Sequence, residues 1–137
     1  MTDDPTELWV LLRRTADALE RAAEAVLVDE FDVTLARFAL LSTLDASGCT
    51  INQQEAADLL GLNKASVSRQ VEAATQDGHL EVAPGSTSRR ERIHRLTPAG
   101  RAIVEAAHAR LEAVTATSLA DRRAASRHLA SILTALD

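Results

Sequence analysis

Four arginines, Arg89, Arg90, Arg92 and Arg95, fall within seven residues, together with His94, in the segment STSRRERIHR. Guanidinium groups at that density suit one chemistry above others, the hydrogen bonding and neutralisation of phosphate oxygens. The cluster stands out because the 137-residue chain is acidic, with a formal net charge of -5. Residues 63–101 hold seven Lys and Arg against four Asp and Glu, whereas residues 1–62 hold four against twelve. The bland alternative is a solvated arginine-rich loop, and the neighbouring residues decide between the two. Catalysis is a poorer fit. Ser, His and Asp are present, but no nucleophile elbow, phosphate-binding glycine loop or zinc-hydrolase motif accompanies them, so no enzyme is expected.

A second group with nucleic-acid chemistry lies upstream, in LNKASVSRQVEAATQ. Val67, Val71 and Ala74 recur at i, i+4 and i+7, the spacing of a buried helix stripe. The opposite face shows Lys64, Ala65, Ser66, Ser68 and Arg69, small and cationic, with Glu72 as its one carboxylate. Small residues let a helix approach base edges, and Ser, Lys and Arg donate there. Asn63 precedes this helix as a cap. Asn52, Gln53 and Gln54 open the helix before it, where side-chain donors join helix N-terminal N–H groups in reaching phosphates. A protein-association face would carry more apolar anchors than this one does.

The elements that position these groups read as follows. DDPTE opens a long first helix, with Asp4 as cap, Pro5 in the first turn and Glu7 beyond, running to about residue 29. Its apolar residues Leu8, Leu11, Leu12, Leu19, Val26 and Leu27 form a broad stripe. A second helix follows Thr34, with Leu35, Phe38, Leu41 and Leu44 inward and Gly48 as its stop. Asn52 and Glu55 form a capping box for a short third helix whose Ala56, Leu59 and Leu60 point inward, and Gly61 ends it. The tight connection to the Lys64 helix makes a helix-turn-helix. HLEVA and RIHRL then read as two short strands, with Leu80 and Val82 alternating in the first and Ile93 and Leu96 the apolar positions of the second. Pro84 and Gly85 open the turn, so the arginines fall on the tip and second strand of a hairpin. Thr97 caps and Pro98 begins a fifth helix. Ser118 and Asp121 restart a sixth, whose apolar face is Leu119, Leu129, Ile132, Leu133 and Leu136. The fold class is mainly α with one small β-hairpin.

The remaining groups with chemistry are weaker. Cys49 is the one cysteine. It allows no internal disulfide, fits a reducing cytoplasm, and reads as a small residue in a helix connection rather than an oxidant sensor. His79, His94, His108 and His128 fit no local ligand pair, so neither a metal nor another cofactor is expected. Arg14, Arg21 and Arg37, with Arg13, are candidates for an anionic effector pocket between the first two helices and the fifth; the plainer reading pairs them with Asp17, Glu20 and Glu24. The N-terminus lacks the regions of a signal peptide, and no apolar run approaches membrane-spanning length, so a cytoplasmic protein without membrane contact is expected.

The stretch LARFALLSTL, EAADLLGLNKASVSRQV, DGHL and RRxxxxxLTPAG, in that order over residues 35–100, resembles the MarR family (multiple antibiotic resistance regulators). The resemblance implies a winged helix-turn-helix lobe over residues 32–97, flanked by dimerisation helices at 4–30 and 98–137 within a single subunit. It implies a homodimer that binds a pseudo-palindromic double-stranded DNA operator as a transcriptional regulator, a repressor, released by a small aromatic or anionic effector. Arg89, Arg90 and Arg92 would reach the backbone or minor groove beside the major groove met by Lys64 and Arg69. Two positions depart from the pattern: Ser88 stands where an Asp usually orients the wing arginine, and Ala74 where Leu is common. An ArsR-like regulator shares the fold class, but its paired cysteines or histidine-rich site are missing; a winged-helix association module without DNA is the other alternative.

Overall fold

The computed structural model describes residues 4–84, 92–118 and 122–136. Helix α1 spans Pro5–Phe31, α2 Leu35–Ala46, α3 Gln53–Leu60 and α4 Lys64–Gln76; strands β1 (Leu80–Pro84) and β2 (Arg92–Leu96) follow, then α5 (Pro98–Ser118) and α6 (Arg122–Leu136). The helix boundaries follow the capping chemistry. Asp4 accepts from the Thr6 N–H at 2.9 Å with Pro5 in the first turn. Thr34 caps α2, and Thr97 caps α5 through the Gly100 N–H at 3.1 Å. Asn52 and Glu55 close a reciprocal capping box on α3, while Asn63 accepts from Ser66 N–H at 2.8 Å to start α4. Gly61 ends α3 with φ of 66°, a left-handed conformation that glycine adopts without a Cβ penalty.

Two apolar clusters hold the chain. The larger joins Leu40, Leu41 and Leu44 of α2, Ala56 and Ala57 of α3, Val67, Val71 and Ala74 of α4, Leu80 and Leu96 of the hairpin, and Val104 of α5. The smaller joins Leu27 of α1, Val33, Phe38 of α2 and Ala107 of α5. The first closes the helix-turn-helix on the root of the hairpin; the second seats that lobe on α1 and α5. Polar ties reinforce the second junction. Glu24 of α1 accepts the Leu35 N–H at 2.6 Å, so a carboxylate from one helix satisfies the first turn of another. Arg110 of α5 forks both oxygens of Glu30 at 2.7 Å. That hydrogen-bonded guanidinium holds the Glu30 carboxyl below its ordinary value.

The strands pair antiparallel, with Leu80 opposite Leu96, Glu81 opposite Arg95 and Val82 opposite His94. One inward assignment from the sequence, Leu59, is corrected. Leu59 is 69% exposed, because the buried arc of this eight-residue helix is centred on Ala56, Ala57 and Leu60. Val82 is 41% exposed, because it lies one step farther out than Leu80 on the projecting hairpin. Gly48 stops α2 as expected: the helix ends at Ala46 with Ser47 as cap, Gly48 follows with φ of 65°, and the Gly48 and Cys49 N–H groups return to the Asp45 and Leu44 carbonyls. Ser118 closes α5 rather than restarting a helix, while Leu119 and Asp121 lie outside the described residues.

Apolar surface is concentrated at the two ends of the chain. Leu8, Trp9, Val10, Leu11 and Leu12 of α1 are exposed, as are Leu129, Ile132, Leu133 and Leu136 of α6. Among the described residues, no helix is long and apolar enough to cross a membrane.

Candidate nucleic-acid interface

The buried stripe of α4 fixes what its other side presents. With Val67, Val71 and Ala74 in the core, Lys64, Ala65, Ser68 and Arg69 are exposed and Ser66 is half-buried. Arg69 Nη2 donates to Ser66 Oγ at 3.2 Å, one helical turn back, so the guanidinium lies along the N-terminal part of the face. The surface is small, cationic and close to a helix N-terminus, where unpaired N–H groups favour anions.

The residues at the starts of α3 and α4 have structural duties as well. The Asn52 carbonyl is committed to the capping box and that of Asn63 to its own cap. Gln54 donates to Asp58 at 3.0 Å along α3. Gln53 is half-buried, with its amide nitrogen 3.4 Å from His94 Nε2 on β2; it bridges α3 to the hairpin. This contact was not legible in the sequence, because the register that brings residue 94 beside residue 53 depends on the fold of the lobe.

On the hairpin, Arg95 Nε donates to Glu81 Oε1 at 2.8 Å across the strands. Both side chains are about half exposed, so this cross-strand pair stiffens the hairpin more than it stabilises the protein. Arg92 begins β2; Arg89 and Arg90 lie outside the described residues, as does Ser88.

The candidate effector arginines divide. Arg14 and Arg21 line an open groove along α1 with Leu11, Thr15 and Ala18. Arg21 also borders a groove between α1, α2 and the turn after α3, with Glu24, Leu35, Ala39 and Leu62. A smaller apolar recess lies between α1, α2 and α5, lined by Leu19, Ala23, Leu35, Leu111 and Val114. Arg37 is not brought together with Arg14 and Arg21. Its side chain, 11% exposed, donates from Nη1 to Asp77 Oδ2 at 3.0 Å and to His79 Nδ1 at 3.1 Å. The sequence signal for this was available: Arg37 sits in an apolar helix whose i±3 and i±4 neighbours are Val33, Thr34, Leu40 and Leu41, so a charge placed there needs a partner from another element. The signal says nothing of which one.

Residues 31–91 match the MarR family. No curated protein matches the chain in sequence. Solved structures similar to it include a MarR/EmrR family transcriptional regulator from Acinetobacter sp. ADP1, 22% identical over 94% of this chain and 90% of that one, with a TM-score of 0.77. The Staphylococcus aureus MepR–DNA complex is 20% identical over 93% and 94%, TM-score 0.79. CouR from Rhodococcus jostii RHA1, bound to p-coumaroyl-CoA, is 19% identical over 98% and 92%, TM-score 0.84. At these identities the structural likeness shows the fold.

Proposed function

We propose, for a chain that belongs to the MarR family by its residues 31–91 and by its fold, that it is a sequence-specific double-stranded DNA-binding repressor working in the cytoplasm as a homodimer. The observation that carries this reading is the exposed face of α4. In an acidic protein, Lys64, Ala65, Ser68 and Arg69 stand on the second helix of a helix-turn-helix, next to a hairpin rich in arginine. Phosphates repel the chain at long range, so its cations must be gathered where DNA is gripped. Residues 32–97 form the DNA lobe, and 4–30 with 98–137 the dimerisation helices. The exposed leucines of α1 and α6 supply apolar area for a second copy. A twofold then sets two lobes on half-sites of a pseudo-palindromic operator, spaced roughly 34–36 Å apart. Lys64 and Arg69 read the major groove; Arg89, Arg90 and Arg92 reach the neighbouring backbone or minor groove. That MepR has been solved with DNA supports the mode of contact. That CouR has been solved with p-coumaroyl-CoA supports an aromatic, anionic effector, for which Arg14 and Arg21 and the α1–α2–α5 recess are the candidate site. Such a ligand would release DNA by favouring a lobe separation that no longer fits the operator.

The test is selection of duplexes from a random library, followed by a gel-shift titration against salt. Log affinity should fall linearly with log salt; Arg92→Ala should reduce the slope by about one unit for each lobe whose phosphate contact it removes, whereas Arg69→Ala should relax selectivity by roughly 1–3 kcal/mol. Absence of affinity for any duplex at low ionic strength would overturn the proposal.

A further inference from the structure

The point where α4 ends and the hairpin begins is held by the Arg37 side chain from α2 and by the Thr97 hydroxyl, which donates to the Gly78 carbonyl. Asp77 caps α4 with its own N–H on Ala73 O. Gly78 turns the chain with φ of 78°, and His79 N–H returns to Ala74 O at 2.8 Å. Leu80 then starts β1. Arg37 reaches across from the first turn of α2 and holds both Asp77 and His79. The same turn of α2 receives the Glu24 carboxylate of α1 on its Leu35 N–H. One helical turn therefore lies between α1 and the pivot shared by the two elements placed to read DNA. We infer that Arg37 is a positioning residue for DNA recognition: it sets the pose of α4 and of the hairpin relative to α1, and contacts no DNA itself. This rests on the DNA-binding reading above.

The chemistry of the contact makes it sensitive to its surroundings. A guanidinium only donates, so His79 Nδ1 must keep its lone pair for Arg37. Arg37 Nε is buried without a hydrogen-bond partner, so the guanidinium depends on its other nitrogens for compensation. Protonated His79 would present an N–H to a cation at 3.1 Å. Burial, and then the charge of Arg37, lower the His79 pKa from its ordinary 6.5, with Asp77 opposing. At the start of α5 the Thr97 N–H bonds the His79 carbonyl, and Gly100 approaches that carbonyl closely.

The test uses the full chain, a duplex selected with the wild-type protein, and a scrambled duplex of equal length. Arg37 belongs to neither apolar cluster, and Asp77 is 60% exposed. Arg37→Gln should therefore fold; Asp77→Asn repeats the test at the exposed partner if it does not. The expected result is a loss of about tenfold in the ratio of selected to scrambled affinity, the scale of one displaced base contact. Affinity for the scrambled duplex should be unchanged at low salt, since backbone contact tolerates a shifted pose. Arg37→Lys should restore part of the ratio, and the His79 ring resonances should titrate at higher pH in Arg37→Gln than in wild type. A wild type that does not distinguish the two duplexes overturns the DNA-binding reading and this inference with it. A wild type that distinguishes them, with both variants keeping the same ratio, overturns the role of Arg37 alone.

Discussion

Replacing Leu133 by Glu should dissociate the proposed homodimer without unfolding its subunits. Leu133 is 65% exposed in the isolated chain and belongs to neither apolar cluster, so the subunit loses little by the change. Burying a whole leucine side chain stabilises by roughly 1.5–3 kcal/mol. The 65% still exposed therefore corresponds to about 1–2 kcal/mol per copy when a partner covers it. An interface built on a twofold axis counts each residue twice, which makes about 2–4 kcal/mol. At 1.4 kcal/mol per tenfold, the dimer dissociation constant should rise roughly 30- to 700-fold, before any added cost of burying a carboxylate. Sedimentation velocity over a dilution series measures the constant directly. Trp9 is the one tryptophan of the chain and is 62% exposed, so its emission reports independently if the N-terminus of α1 joins the same interface. Far-ultraviolet circular dichroism should be unchanged. If Leu133→Glu retains the wild-type dimer constant, α6 does not supply the interface and the account of its exposed leucines is wrong.

Three further outcomes follow from the lobe. A Cβ at Gly100 would lie 2.2 Å from the carbonyl oxygen of His79, which is backbone and cannot swing aside; Gly100→Ala should cost at least about 2 kcal/mol in urea denaturation, within the usual range for overpacking. Asn52→Ala removes the cap that bonds Glu55 N–H at 2.9 Å, and should cost about 1 kcal/mol by the same measurement. The lowered His79 pKa means that the unfolded chain binds a proton before the folded one does. Stability tied to this group is thus complete above about pH 6.5 and is lost as pH falls from there through the folded value. The urea midpoint of wild type should drop between pH 7.5 and 5.5 by more than that of His79→Gln, which does not titrate; equal drops would remove His79 from the explanation.

The local features of this fold were legible because they rest on short-range chemistry. Asp4, Thr34, Asn52, Asn63 and Thr97 all cap where their spacing to the next apolar stripe says they should. The apolar alternation also located the hairpin. What sequence spacing does not contain is the relative placement of elements. The Arg37–Asp77 pair is separated by 40 residues and Arg110–Glu30 by 80, and no local rule links them. Leu59 was misplaced for a related reason: in a helix of eight residues, several apolar arcs are available, and packing of Ala56 and Ala57 against the rest of the lobe selects one. The exposure of the α4 face was readable because the Val67, Val71 and Ala74 stripe fixes the opposite side, whereas the contact of half-buried Gln53 with His94 depends on how α3 and the hairpin are placed.

The distribution of apolar surface also constrains how regulation could work. The larger core is built from α2, α3, α4, the hairpin and Val104 of α5, with no residue of α1 or α6, so a change at α1 or α6 need not disturb the fold of the elements proposed to read DNA. What such a change alters is the direction in which the lobe is held. Contacts that bear on that direction include the small cluster of Leu27, Val33, Phe38 and Ala107, Val104 of α5 in the larger core, the Glu24 carboxylate on Leu35 N–H, and the Arg101–Asp45 pair between α5 and α2 at 2.8 Å. The last is partly exposed and worth little. A ligand in the α1–α2–α5 recess would bear on Leu35 directly, and Leu35 shares its helical turn with Arg37. Under the proposed regulation, a displacement there of a fraction of an ångström would be passed to α4 and the hairpin as a rotation of the lobe, because close-packed cores transmit strain instead of absorbing it. In the proposed homodimer, two DNA-reading faces on a common axis would magnify that rotation with their distance from it, which is how a small ligand would govern the grip on an operator.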